Sequence, residues 1–132
     1  MTKSKPARKN VLGDPKRVAK LLEFVATLPE VKVELAGEQH LKFTVRKKSL
    51  AYLCDDHHGD GIVAVWAKST RPRQQELVAL HPGRFFVPPY VGPSGWVALR
   101  LDQKTIDWSE VAELLITAYR LQAPRKLADQ IG

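Results

Sequence analysis

At 132 residues the chain has room for one domain around one core. Its 44% hydrophobic and 27% charged residues exclude a disordered or fibrous class, and no apolar run reaches the ~18 residues of a membrane span. The net charge of +7 is unevenly spread: Lys3, Lys5, Arg8 and Lys9 make residues 1–13 a basic stretch without acids, leaving 17 basic against 14 acidic residues beyond it.

Residues 1–13 read as a flexible basic tail. It is either a solubilising end or an attractor of nucleic acid or another anionic surface. No apolar segment follows it, so a secretory signal is not expected, and the single cysteine, Cys54, calls for no oxidising compartment. The expected location is the cytoplasm. The remainder, 14–132, reads as a single domain.

Asp14-Pro15 has the signature of a helix cap followed by proline at the first helical position. Val18, Leu21, Leu22 and Val25 then repeat on one helical face up to Pro29, predicting a helix over 14–28. Val31–Leu35 alternates as a strand, Gly37 breaks it, and His40–Arg46 alternates again. Arg46-Lys47-Lys48-Ser49 reads as a charged turn into a strand at Leu50–Cys54, so that Leu41 to Cys54 forms a hairpin. A polar turn, Asp55 to Gly61, leads into Ile62–Ala67, whose apolar residues on both faces suit a buried strand. Ser69, Thr70 and Pro72 open a short helix ending near Leu80, before Pro82-Gly83. The Pro/Gly-rich run that follows carries Phe85, Phe86, Tyr90 and Trp96 and reads as a shaped loop with packed aromatics. Trp96–Leu101 is a strand. Asp107 and Glu110 form a capping-box variant for a helix over 107–122, closed by Pro124. Helix, strands, short helix, strand, helix is an α+β order with an antiparallel sheet.

FTVRKKSLAYL (Phe43–Leu53), IVAVWAK (Ile62–Lys68), HPGRFFVPPYVGPSGWVALRL (His81–Leu101) and IDWSEVAELLITAYRLQAPRKL (Ile106–Leu127) together resemble the MmcQ/YjbR family of small bacterial proteins. The likeness covers about three-quarters of the chain and is most specific from Arg84 to Trp96. It implies an α+β fold related to frataxin-like proteins, with a double-wing motif, and a DNA-binding label that rests on structural analogy. The basic tail is not part of the shared pattern.

Nine residues stand out as a nucleic-acid surface. Arg46, Lys47 and Lys48 sit at a predicted hairpin tip; Lys68, Arg71 and Arg73 at a strand-to-helix junction; Arg84 and Arg100 flank the aromatic loop; and Tyr90 is placed for stacking. The plainer reading is that turns are charged because they face water. A second functional reading makes the loop around Phe86, Val87, Pro88 and Tyr90 an apolar ridge for a protein partner or a second copy. A third takes Asp55-Asp56-His57-His58-Gly59-Asp60 as metal ligands, but consecutive histidines in a turn rarely converge on one ion and the spacing fits no known ligand pattern. Cys54 lies beside acids and reads as a core residue with a raised thiol pKa. No nucleophile–base pair or phosphate-cradling loop is visible, so neither an enzyme nor a bound cofactor is expected. Trp66 and Trp96 read as core aromatics, Trp108 as a staple at its helix entry or a surface residue, and Tyr119 and Arg120 as facing the aromatic loop.

Overall fold

The computed structural model describes residues 14–37 and 40–131; the expected basic tail lies outside them. Helix α1 (Pro15–Val25) is followed by three strands, β1 (Val31–Ala36), β2 (His40–Val45) and β3 (Lys48–Asp55). Then come β4 (Val63–Ala67), helix α2 (Arg71–Leu80), β5 (Phe85–Phe86), β6 (Val97–Arg100), and helices α3 (Trp108–Gln122) and α4 (Arg125–Ala128). The strands form one sheet in the order β1-β2-β3-β4-β6-β5, antiparallel throughout. The α+β class and antiparallel sheet expected from the sequence are therefore present. Phe85 and Phe86, expected in a loop, instead form a two-residue strand paired with Leu99 and Ala98.

The helix starts are set as the sequence reads. The Asp14 carboxylate accepts from the Lys16 amide at 2.9 Å, Thr70 Oγ1 accepts from the Arg73 amide, and the Asp107 carboxylate accepts from the Ser109 and Glu110 amides. Helix α1 stops earlier than expected. Residues 26–28 make a tighter turn, with the Leu28 amide bonded to the Val25 carbonyl.

One face of the sheet carries the main core. Phe43, Val45, Leu53, Val65, Val97, Leu99 and Phe85 pack under Leu21 and Val25 of α1 and Val111, Leu115, Ala118 and Tyr119 of α3. A bulge sets this up on β3: Phe43 opposes Ala51 but Thr44 opposes Ser49, so Leu50 is an extra residue and is fully buried. The other face carries a smaller cluster of Cys54, Ala64, Trp66, Trp96 and Ala98, with Tyr52, Phe86 and Val91 against it. Among the described residues, none from α1–α4 belongs to this cluster. The 87–96 loop lies over it, so β4 is buried on both faces by different means.

The loop is fastened to α2. Buried Gln74 donates its Nε2 to the carbonyls of Gly92 (2.8 Å) and Trp96 (2.6 Å). Gly95 has φ +94 and lies so close to the start of α2 that a Cβ there would sit 2.8 Å from the Ser69 carbonyl oxygen and 3.1 Å from the Arg71 nitrogen. Gly92 leaves room for Val87, whose Cγ1 would be 2.5 Å from a Cβ at that position. These contacts make the segment a packed lid, as its Pro and Gly content suggested.

Candidate functional site

Strand direction sorts the charged residues into two ends. β2 descends and β3 ascends about the Arg46-Lys47 turn, β4 descends to Lys68, whose amide bonds the Leu50 carbonyl, and α2 begins just beyond. Helix α3 ends there too. The Tyr119 hydroxyl donates to the Pro29 carbonyl at 2.6 Å, and Gln122 Nε2 donates to the Ser49 carbonyl at 2.8 Å. One end of the sheet therefore gathers Arg46, Lys47, Lys48, Lys68, Arg71 and Arg73, joined by Arg120 at the end of α3 and Arg125 and Lys126 at the start of α4.

Glu30 and Glu76 are acids within this group. Arg46 grips Glu30 with Nε at 2.6 Å and a second contact at 3.1 Å, and Arg73 meets Glu76 at 2.6 Å. The Arg46 guanidinium holds the Glu30 carboxyl below its usual range. Lys68 Nζ donates to the Ser94 carbonyl at 2.8 Å and an Arg71 guanidinium nitrogen lies 3.5 Å from the Pro93 carbonyl, contacts that position the cations without neutralising them. Among the described residues, Lys47, Lys48, Lys68, Arg71, Arg120, Arg125 and Lys126 have no carboxylate partner.

The turn itself is costly. Arg46 (φ 48) and Lys47 (φ 71) both occupy the left-handed region of a two-residue hairpin turn, where Asn-Gly is the usual choice. The chain keeps two long cationic side chains where other residues would fit with less strain.

The opposite end is mixed: Asp60, Asp102, Asp107 and Glu110 stand there with Arg17, whose guanidinium donates to the Leu101 and Lys104 carbonyls. Arg84 and Arg100, grouped by the sequence reading with the cationic surface, lie there: the Arg100 amide bonds the Arg84 carbonyl, and Arg100 sits opposite Ala64 near the start of β4. Both are consumed by carboxylates. Arg84 makes two 2.8 Å bonds to Glu110, and Arg100 bonds Asp102 at 2.9 and 3.1 Å, with Asp60 and Asp107 nearby. The structure thus places these two of the nine expected nucleic-acid residues apart from the cationic end, where they tie β5 to α3 and β6 to its own exit. Burial pushes the Asp102 carboxyl up, but hydrogen bonds from Arg100 and the Val63 amide outweigh it and leave its pKa lowered.

Between α2 and α3 runs a groove of about 600 Å³, with Ser69, Arg73, Thr117 and Arg120 toward the basic end and His81, Glu110 and Glu113 toward the opposite end. Arg120 lines this groove and Tyr119 is fully buried against Pro29, so neither faces the aromatic loop as expected. Trp108 packs on the main core with Lys20 Nζ 5.3 Å above its ring.

A family model described as YjbR matches residues 26–121. The chain belongs to the YjbR family. No curated protein matches it. Among solved structures it is similar to the crystal structure of the Deinococcus radiodurans protein DR2400, a DUF419-domain protein, with a TM-score of 0.65 and 24% identity over 79% of this chain and 76% of that one. At that identity the likeness speaks to the fold, which it supports.

In this YjbR protein Tyr90 stands away from the cationic group. It is 75% exposed, with φ 68, and its ring lies 6.0 Å from His57 and 6.1 Å from His58. His57 in turn packs 4.7 Å from Trp66 and 5.4 Å from His40, and meets His58 edge-on at 4.2 Å. The histidines thus complete the aromatic layer over the smaller core. Among the described residues no three His, Cys, Asp or Glu side chains converge as a metal site. The expected apolar ridge is broken up: Phe86 turns onto the sheet and Pro88 is buried, leaving Val87 and Tyr90 exposed. Burial, reinforced by Asp60, pushes the Cys54 thiol up to about 12. No helix of the described residues is long and apolar enough to cross a membrane.

Burial, followed by His58 and His40, lowers the His57 pKa from the usual ~6.5. The unfolded chain then takes up this proton more readily than the folded protein, so stability present above pH ~6.5 is lost as pH falls through the lowered folded value. Urea midpoints measured from pH 8 to pH 5 are expected to decline below ~6.5. His57→Phe, which keeps a ring over Trp66, is expected to flatten that decline.

Proposed function

We propose that this YjbR protein binds the phosphate backbone of nucleic acid through the cationic end of its sheet. The observation that carries the reading is the gathering of seven cations that have no carboxylate partner among the described residues, drawn from the β2–β3 turn, the β4–α2 junction and the α3–α4 corner. Phosphate contact needs charge presented on rigid elements, and Lys68 and Arg71 are aimed by carbonyls of the aromatic lid. The strained Arg46-Lys47 turn supports the same reading, since its conformation is maintained against local preference.

At the opposite end Arg84 and Arg100 are taken up by Glu110 and Asp102, so the proposed engaged surface is the cationic end and not the whole molecule. Tyr90 sits apart from it, and base stacking is not part of the proposal. Binding is therefore expected to depend on phosphate spacing more than on base sequence. About four phosphate contacts would reduce affinity roughly 100-fold between 50 and 200 mM salt. Anisotropy of labelled duplexes of unrelated sequence, titrated across that range, tests this. No binding at 50 mM salt, or a salt-independent affinity, counts against it.

The turn offers an independent check. The Arg46→Asn, Lys47→Gly double variant places preferred residues in the left-handed positions. It is expected to raise the melting temperature while weakening duplex binding. A gain in stability with unchanged affinity would remove the turn from the surface.

A further inference from the structure

β1, Val31-Lys32-Val33-Glu34-Leu35-Ala36, is an edge strand: among the described residues no strand pairs with its outer side, and only the Val31 amide is taken, by the Leu28 carbonyl. Its exposure is unusual for apolar residues: Val33 is 45% and Leu35 72% exposed. On β2 the equivalent row, Leu41, Phe43 and Val45, is buried beneath the helices, so this side of β1 projects past their cover. The other face of β1 carries Lys32 and Glu34, opposite Thr44 and Lys42 of β2.

The sequence of this strand is self-complementary in one antiparallel register. With Val33 opposite Val33 of a second copy, Val31 meets Leu35, and Lys32 meets Glu34, on both sides of the dyad. Opposed residues of an antiparallel pair share a face, so the apolar set forms one continuous row and the charges alternate on the other. Each Glu34 then lies between Lys42 of its own sheet and Lys32 of the second copy. Sliding by one pairing step sets Lys32 against Lys32 or Glu34 against Glu34, and an odd slip sets apolar against charged faces. Register selection by charge is what distinguishes this edge from a merely open one.

We propose that β1 pairs with β1 of a second copy of this chain, joining two sheets about a two-fold axis through Val33. The occupant is fixed by this complementarity, and the inference stands apart from the nucleic-acid reading, because the cationic group lies outside the paired residues. A strand pair of this length buries little area, so the dimer belongs to the weak class and forms with rising concentration.

Sedimentation equilibrium on the full chain, from ~10 µM to ~1 mM in low salt, is the test. The wild type is expected to shift toward dimer across that range. Lys32→Glu and Glu34→Lys, each exposed and placing like charges opposite one another, are expected to weaken association at least about tenfold. The double exchange, K32E with E34K, restores opposite charges in the same register and is expected to recover it. Circular dichroism confirms that the singles remain folded. A wild type monomeric throughout, single variants that dimerise normally, or a double exchange that fails to recover association each overturns the proposal.

Discussion

Gly95→Ala is expected to destabilise the protein by about 2–4 kcal/mol, among the largest effects of a single added methyl group. Two costs combine. The residue sits at φ +94, where an alanine pays roughly 1–2 kcal/mol. Its Cβ would then meet backbone, with the Ser69 oxygen at 2.8 Å and the Arg71 nitrogen and Thr70 carbonyl carbon at 3.1 Å, and backbone at a helix start has little freedom to retreat. Gly61 separates the two: it has φ +71 and nothing within 4 Å of the added carbon, so Gly61→Ala reports the conformational cost alone. Urea denaturation of both variants gives the difference, expected to be at least ~1 kcal/mol. Equal losses at the two positions would mean that the lid does not press on α2. Because the Ser94 and Pro93 carbonyls lie beside Lys68 and Arg71, Gly95→Ala is also expected to shift those cations.

Reversing charge at the basic end is expected to remove duplex binding. Lys47, Lys48, Arg125 and Lys126 are exposed, take no part in the core, and have no carboxylate partner among the described residues. Replacing all four with glutamate changes the local charge by eight without opening a cavity. A loss of at least ~100-fold in affinity at 50 mM salt is expected from the lost contacts alone, with repulsion added. Lys104→Glu, on the exposed connection between β6 and α3, changes charge near the opposite end and is expected to leave affinity within about threefold. If the two variants bind equally, the ends are not functionally distinct and only bulk charge matters. The four substitutions divide between the β2–β3 turn and the α3–α4 corner, so separate pairs show whether both elements touch the same ligand.

Local chemistry made much of the fold legible. Asp14-Pro15, Thr70 with Pro72, and Asp107 with Glu110 announce helix starts because capping is settled within four residues. The β2–β3 hairpin was readable because alternation on both sides brackets a charged turn. β5 was not: two residues carry no periodicity, and Phe85 and Phe86 become a strand only because β6 lies alongside them. The site was legible in part for the same reason. Lys47 and Lys48 announce themselves as a cluster, but whether a guanidinium is free depends on partners far along the chain, as Arg84 with Glu110 and Arg46 with Glu30 demonstrate. Arg120 was read as facing the aromatic loop, and Arg125 and Lys126 look like ordinary solvated helix-end residues. The signal was in the length of α3: its 15 residues span roughly 22 Å, enough to carry its last turn from the mixed end to the hairpin.

The separation of charge along the strands has a kinetic consequence. A body whose cations without carboxylate partners among the described residues gather at one end possesses a permanent electric moment, and in the field of a polyelectrolyte such a body experiences a torque before any contact is made. On the proposed nucleic-acid reading, the protein is turned during approach, so that a larger share of collisions is productive than its modest overall charge would allow. Dilute buffer should therefore accelerate capture more steeply than it slows release.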